Sequence, residues 1–247
     1  MKPQCSQPSL AGSRALLEPA GLRFDPGQHR PAWVAAETLA VTVGTLAAAQ
    51  ILNTRHSLGM RWFLIPSLLV AAALIPTWIA GREFPTIGLR AEHRRRAFGA
   101  TCRASIIVLP IAFLGLWVMT RRQIPIPLQP AVPEQSDWLS WLLYQFLYVA
   151  VAEEVFFRGY VQANVMRLLA SRKKLSPAVR QAIVIIVSAA CFALAHVIVQ
   201  GRMVSLLTFF PGLLLAWLFV RTRTLLAPIL FHGLANVTYG IMALSLA

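Results

Sequence analysis

The sequence predicts an all-α fold: a polytopic integral membrane bundle of about seven transmembrane helices, with its amino terminus in the cytoplasm. Three observations predict it, namely the composition, the apolar runs and the placement of Lys and Arg. Of the 247 residues, 57% are hydrophobic and 13% are charged, and the mean hydropathy is +0.63. Soluble domains carry about 25% charged residues. This composition therefore excludes an ordinary soluble protein.

Seven apolar runs are long enough to be transmembrane helices. A hydrocarbon core about 30 Å thick requires about 20 apolar residues when each adds 1.5 Å along a helix. The runs cover residues 33–52, 62–80, 104–119, 138–157, 181–199, 203–220 and 225–246. A chain that crosses the membrane seven times from the cytoplasm ends on the opposite side.

The basic residues predict this orientation, because Lys and Arg are retained on the cytoplasmic side. Of the 23 Lys and Arg residues, the predicted outer loops hold only Arg55, Arg61, Arg121, Arg122 and Arg202. The net charge of +14 is spread between apolar runs and forms no single basic face, so the expected partner is the lipid bilayer and not nucleic acid.

The chain is expected to form one membrane domain with four segments. Residues 1–32 are rich in proline and predict a flexible cytoplasmic arm. Residues 33–123 hold the first three transmembrane helices, and residues 124–137 form a proline-rich external linker. Residues 138–247 form a four-helix core, which we expect to be catalytic because its spans carry unusual polar residues.

The fourth span contains adjacent glutamates. Ionisable groups inside a membrane are costly and usually face a bundle interior or a cavity. Glu154 and Arg158 are four residues apart, so they share a helix face and can form an ion pair. Glu153 is rotated about 100° away and has no partner in its own helix. The spacing predicts a structural Glu154 and an available Glu153.

The fifth and seventh spans each carry a histidine that belongs to a pair of residues with the same helical spacing. Phe192 precedes His196 by four residues, and His232 precedes Asn236 by four. Each pair therefore presents one helix face. A single such residue has an ordinary structural explanation, as an ion pair or an interhelical hydrogen bond. Together with Glu153 of the fourth span, the polar residues His196, His232 and Asn236 make four on three spans, and this number favours a shared site.

The three motifs resemble those of a known family. EEVFFR resembles the EExxxR motif, FALAH the FxxxH motif and HGLAN the HxxxN motif of the CPBP intramembrane endopeptidases. That family includes CAAX prenyl proteases and bacteriocin-processing or self-immunity proteins of the Abi type. The motifs occur in the family's order, over residues 140–240.

The resemblance implies a role for each matching residue. Glu153 would act as the general base that activates water, with His196 as its partner. His232 and Asn236 would stabilise the oxyanion, and Glu154 and Arg158 would hold the local structure. The first hundred residues match nothing in the family's pattern.

A glutamic-type mechanism needs no cofactor, and it is the one we expect. Zinc is the alternative, because Glu153, His196 and His232 with an open position would form a recognised catalytic zinc site. Asn236 favours the metal-free mechanism, since an amide is a good oxyanion donor and a poor zinc ligand. No HExxH, GxSxG, P-loop or GxGxxG motif is present in the sequence.

The expected substrate is a membrane-embedded or lipid-anchored protein or peptide. The Arg- and Ala-rich composition favours a bacterial inner membrane, where carboxyl-terminal sorting anchors or bacteriocin-type peptides are candidate substrates. Two alternatives remain. One is a proton-coupled transporter in which the glutamate and the two histidines relay protons, although the three-plus-four layout shows no inverted repeat. The other is a catalytically silent immunity or scaffold protein of the same fold.

Overall fold

The computed structural model describes residues 31–55, 58–89, 94–124, 137–170, 172 and 174–246. Almost all of these residues are helical, and no strand occurs among them. The predicted arm lies outside the described residues except for its last two, which begin the first helix. Most of the predicted linker, residues 125–136, also lies outside them.

Seven helical segments follow the order of the seven predicted spans. They are α1 (Pro31–Arg55), α2 (Leu58–Ile79), α3 (Arg94–Arg121), α4 (Trp138–Ala170), α5 (Pro177–Gln200), α6 (Phe209–Thr222) and α7 (Leu226–Leu246). A 3₁₀ turn, Met203–Thr208, leads directly into α6. The helices α1 to α5, and α6 taken together with the turn that leads into it (Met203–Thr222), are long and apolar enough to cross a membrane, and α7 has a shorter apolar stretch, Leu226–Met242. The fold is therefore an all-α polytopic bundle, as predicted.

Several helices are longer than their apolar runs. The fourth extends to Ala170, although the sequence predicted an end at residue 157. Hydropathy falls at Arg158, Gln162 and Asn164, yet all three side chains are fully buried. Some of their polar atoms find partners in neighbouring elements: Gln162 donates from Nε2 to the carbonyl of Ala216 at 3.0 Å, and Arg158 donates from Nη2 to the carbonyl of Gly212 at 3.1 Å. Such internal partners allow a polar helix turn to remain buried.

The fourth helix is the centre of the bundle. It contacts α1, α2, α5, α6 and α7, and every residue from Val155 to Gln162 is buried. Two of its stretches, Tyr144–Ala150 and Val155–Gln162, have π-helical hydrogen bonding and flank a short α-helical segment, Val151–Glu154. Wide turns of this kind are frequent at functional sites. The two glutamates lie between them.

Ion pairs and hydrogen bonds attach the first three helices to the last four. Glu37 of α1 accepts from Nη1 of Arg82 and from the hydroxyl of Tyr160 in α4, both at 2.9 Å. Thr101 of α3 donates to the carbonyl of Ala227 in α7 at 3.2 Å. The two halves therefore share one packed interior.

Candidate active site

Glu153 lies between the two histidines of the predicted site. Its Oε2 is 3.9 Å from Nε2 of His196 and 3.8 Å from Nε2 of His232. Three different helices supply these side chains. In the sequence, Glu153 and His196 are 43 residues apart, and His196 and His232 are 36 residues apart. The side chains of Glu153 and His196 are 18% and 19% exposed, whereas that of His232 is 7% exposed.

The Nδ1 atom of each histidine is held by an acceptor. Nδ1 of His196 lies 2.9 Å from the backbone carbonyl of Phe192. A carbonyl can only accept, so this nitrogen carries the proton. Nδ1 of His232 lies 2.8 Å from Oε1 of Glu154, and an ionised carboxylate likewise only accepts. Both rings are thus oriented with Nε2 towards Glu153.

Glu154 and Arg158 form the ion pair that their spacing predicts. Oε2 of Glu154 is 3.2 Å from Nε of Arg158, and both side chains are fully buried. The guanidinium also donates from Nη2 to the carbonyl of Gly212 at 3.1 Å, and it lies 4.5 Å above the centre of the Phe192 ring. These contacts join α4 to α5 and α6 beneath the site.

Glu154 contributes more than the sequence suggested. Its spacing predicted only the pair with Arg158, but its other oxygen accepts from His232. The carboxylate therefore connects the buried guanidinium to an imidazole of the site. Carboxylates that hold a functional histidine from behind fix its tautomer and ring orientation.

Asn236 is bonded to a residue that the sequence analysis did not single out. Its Nδ2 donates to Oε1 of Gln145 at 3.0 Å. Both amides line the same cavity as Glu153 and His196. Since one hydrogen of Nδ2 is used by Gln145, the other is available to an oxygen in the cavity. A polar side chain in the first turns of an apolar span was the signal that could have identified Gln145.

The cavity has a volume of about 660 Å³ and lies between α1, α2, α4, α5 and α7. Its inner wall includes Glu153, His196, Asn236 and Gln145, and its outer part includes Arg61. A cavity of this size accommodates a short peptide segment or a drug-sized molecule. The described residues that line the cavity do not include His232. Its side chain is buried, with Nε2 at 3.8 Å from Oε2 of Glu153.

Glu153, His196 and His232 can be tested as a zinc site. Ligand atoms 2.0–2.2 Å from a tetrahedral zinc ion are about 3.3–3.5 Å from one another. The measured separations of 3.8 and 3.9 Å from Glu153 are longer. Across the described ranges, no group of three or more His, Cys, Asp or Glu side chains has the spacing of a metal site. As placed, Glu153 is therefore a few tenths of an ångström farther from each histidine than two ligands of one zinc ion are from each other.

The comparison with protein families gives one match. Residues 135–238 match the family described as Type II CAAX prenyl endopeptidase Rce1-like. The match includes α4, α5 and α6 with the first half of α7, and therefore the glutamates, the histidines and the two amides of the site, but not the cavity residues on α1 and α2. No curated protein and no solved structure matches the chain.

The family match agrees with the resemblance carried by the three motifs, and the transmembrane helices agree with a protease that works within a membrane. The chain is an integral membrane protein, and its general class is that of intramembrane endopeptidases. Residues 135–238 are therefore an Rce1-like domain of the type II CAAX prenyl endopeptidase family.

Proposed function

We propose that this protein hydrolyses a peptide bond of a membrane-associated protein or peptide with a water molecule activated by Glu153, without a metal ion. One observation supports this most directly. The Glu153 carboxylate and the His196 imidazole both line the cavity, and their facing atoms are 3.9 Å apart. Catalytic contacts are often long in a free enzyme and shorten when the substrate binds.

The two groups can orient a water molecule. Because Nδ1 of His196 carries its proton, Nε2 is an acceptor in the neutral ring, and the ionised carboxylate of Glu153 is a second acceptor. Water held by both donates one hydrogen to each and presents a lone pair to the substrate carbonyl. Glu153 takes the proton as the water oxygen bonds to the carbonyl carbon. The same proton is then given to the leaving nitrogen as the C–N bond breaks.

The developing oxyanion needs hydrogen-bond donors. Asn236 is the proposed donor at the cavity wall, with its orientation set by Gln145. His232 has its Nδ1 proton directed at Glu154, so donation from Nε2 requires the doubly protonated imidazolium. Donors fixed in a site from which water is largely excluded stabilise such charge strongly.

The substrate is proposed to arrive from the lipid, since the cavity lies between membrane-spanning helices. A bacterial inner membrane is the proposed location, and carboxyl-terminal sorting anchors or bacteriocin-type peptides are the proposed substrate classes. The experiment compares membranes that contain the protein with membranes that contain the Glu153→Gln variant. New carboxyl termini found by mass spectrometry only with the active protein support the proposal.

A matched control is Glu83→Gln, because Glu83 is exposed and does not line the cavity. Cleavage that survives Glu153→Gln contradicts the proposal.

The alternative functions predict other outcomes. Proton flux through liposomes that depends on Glu153, with no hydrolysis, would indicate the transporter. Biological function that survives neutralisation of Glu153 would indicate the silent scaffold. Metal analysis of the purified protein, with cleavage assays before and after chelation, tests the zinc alternative.

A further inference from the structure

The carboxyl end of α5 lies about one turn beyond His196. Gln200 is the last residue of the helix, and Gly201 follows in the left-handed conformation and donates its backbone N–H to the carbonyl of Val197 at 2.8 Å. The last carbonyls of a helix have no partner within it and need one elsewhere. The carbonyl of Val199 is one of these, and it lies three residues after His196, about 4.5 Å along the helix axis.

Asn53 of α1 supplies a partner for that carbonyl. Its Nδ2 donates to the carbonyl of Val199 at 2.6 Å, and the two residues are 146 positions apart in the sequence. An N–H group directed at a last-turn carbonyl caps the end of a helix. Because the donor belongs to another helix, this cap also fixes the end of α5 relative to α1.

Arg61 of α2 holds Asn53 in the orientation that the cap requires. Its Nη1 donates to Oδ1 of Asn53 at 3.0 Å and to the backbone carbonyl of the same residue at 3.1 Å. Since Oδ1 accepts from the guanidinium, Nδ2 stays directed at Val199. Positive charge near the carboxyl end of a helix is favourable as well. We call this chain of three residues, Arg61, Asn53 and Val199, the α5 cap.

The ring of His196 depends on the position of α5. Its Nδ1 is 2.9 Å from the carbonyl of Phe192 in the same helix. Within the part of the chain that the structure describes, no other helix forms a hydrogen bond with this ring. The place of Nε2 opposite Glu153 is therefore set by where α5 lies. A misplacement of about 1 Å in a site can cost about 10²-fold in rate.

We propose that Asn53 and Arg61 are positioning residues, which hold the end of α5 so that His196 stays opposite Glu153. This inference rests on the proposed function, and it gives α1 and α2 a part in the reaction. Both residues lie outside the Rce1-like match, residues 135–238. They act through the backbone of α5 and not on the reacting atoms.

The Asn53→Asp variant removes the donor of the cap and keeps the acceptor for Arg61. A carboxylate cannot donate to the carbonyl of Val199, but its oxygens still accept from the guanidinium. The assay uses a prenylated CAAX-type peptide in nanodiscs. We expect kcat to fall about 10-fold, the loss that corresponds to one ordinary hydrogen bond, with KM nearly unchanged. Thr54→Asp is the matched control, because it adds the same charge at an exposed neighbour that bonds only within α1.

The separate changes in kcat and KM distinguish positioning from direct contact with the substrate. Asn53 and Arg61 both line the cavity, so a contact with the bound peptide would raise KM and leave kcat unchanged. That result overturns the inference. A loss in Thr54→Asp equal to that in Asn53→Asp overturns it as well, because the added charge alone would then explain the effect.

Variants of Arg61 test the next residue of the cap. Arg61→Met removes the donor to Asn53 and should lower kcat, whereas Arg61→Lys keeps one donor for Oδ1 and should retain most of the wild-type rate. If Arg61 acts through Asn53, Arg61→Met should add little to the loss caused by Asn53→Ala. Arg55→Met, which removes an exposed charge at the end of α1, should keep the wild-type kcat. Fully additive losses, or an equal loss in Arg55→Met, contradict the proposal.

The ring nitrogens of His196 provide a measurement that is independent of turnover. Solid-state NMR of the protein with isotope-labelled histidine in lipid bilayers reports them, and His196→Gln and His232→Gln assign the signals. Asn53→Asp should shift the signals of His196 and leave those of His232, which is held by Glu154 of α4. Unshifted signals of His196, or equal shifts of both rings, overturn the inference. If Glu153→Gln cleaves the peptide as well as the wild type does, the proposed function fails, and the NMR result still decides whether the α5 cap positions the ring.

Discussion

Nδ1 of His232 lies 2.8 Å from Oε1 of Glu154, and Oε2 of the same carboxylate lies 3.2 Å from Nε of Arg158. In contrast, Oε2 of the neighbouring Glu153 faces two imidazole Nε2 atoms at 3.8 and 3.9 Å, which is too far for a hydrogen bond. Two adjacent glutamates in one membrane-spanning helix therefore differ in what surrounds them. One carboxylate is held by a cation and an imidazole, and the other faces two imidazoles at nearly 4 Å.

This difference predicts that Glu154→Gln mainly destabilises the protein. Removal of the carboxylate leaves the guanidinium of Arg158 buried without its counter-charge, and breaking a buried ion pair costs about 3–5 kcal/mol. Thermal unfolding in detergent should show a clear fall in Tm. The double variant Glu154→Gln with Arg158→Met should recover part of that loss, because it leaves no unpaired buried charge. A double variant less stable than Glu154→Gln alone would contradict this account.

The opposite result is expected for Glu153→Gln. Loss of a positioned general base typically costs about 10²-fold to 10⁴-fold in rate, so cleavage should be nearly abolished. The Tm should stay within the error of the wild type or rise, because Oε2 of Glu153 makes no hydrogen bond to a described residue and both imidazoles lie nearly 4 Å from it. Peptide cleavage and thermal unfolding are measured on the same preparation. Inactivity that accompanies a large fall in Tm would show only misfolding.

Helix order and the helix faces that carry the site residues could be predicted from the sequence because both follow from local periodicity. Apolar runs mark transmembrane helices, and a four-residue spacing places His232 and Asn236 on one face. The end of α4 could not be predicted in this way. Arg158 and Gln162 look like the end of a span in a hydropathy profile, but partners on other helices bury them. Such partners are tertiary and leave no local signal.

The contacts of the site depend on the same tertiary information. The pair of Asn236 with Gln145 joins residues 91 positions apart. Nothing in the spacing of either residue indicates the other. The same is true of Arg61, whose place in the cavity is set by Asn53 and, through it, by α5.

The bond between Gln145 and Asn236 predicts a positioning role for Gln145. Gln145→Met keeps the length of the side chain and removes the acceptor, so the amide of Asn236 loses its fixed orientation. We expect kcat to fall about 10-fold, which corresponds to one lost hydrogen bond of ordinary strength, with little change in KM. Steady-state kinetics on a cleaved peptide provide both values.

A double-mutant cycle separates this role from an effect on folding. If Gln145 acts through Asn236, then Gln145→Met should add little to the loss caused by Asn236→Ala, because coupled residues are not additive. Gln181→Met is a suitable control, since Gln181 lies near the start of α5 and does not line the cavity. Fully additive losses in kcat would show that the two amides act separately.

Gly233, which follows His232, predicts a packing constraint on the site. A Cβ atom at this position would overlap the ring of Phe146, the residue after Gln145. Gly233→Ala must therefore push α4 and α7 apart or displace the ring, and overpacking of this kind costs about 1–3 kcal/mol. We expect a lower Tm together with reduced cleavage, because the displaced elements carry both amides of the cavity wall. Gly44→Ala in α1 is the matched control, since nothing lies within 4 Å of its added Cβ, and the helix propensity of Ala should leave Tm unchanged or slightly higher. Phe146→Leu, which makes room for the new methyl group, should restore part of the stability of Gly233→Ala. A Tm for Gly233→Ala equal to that of Gly44→Ala would show that α4 and α7 do not pack as closely as the structure has them.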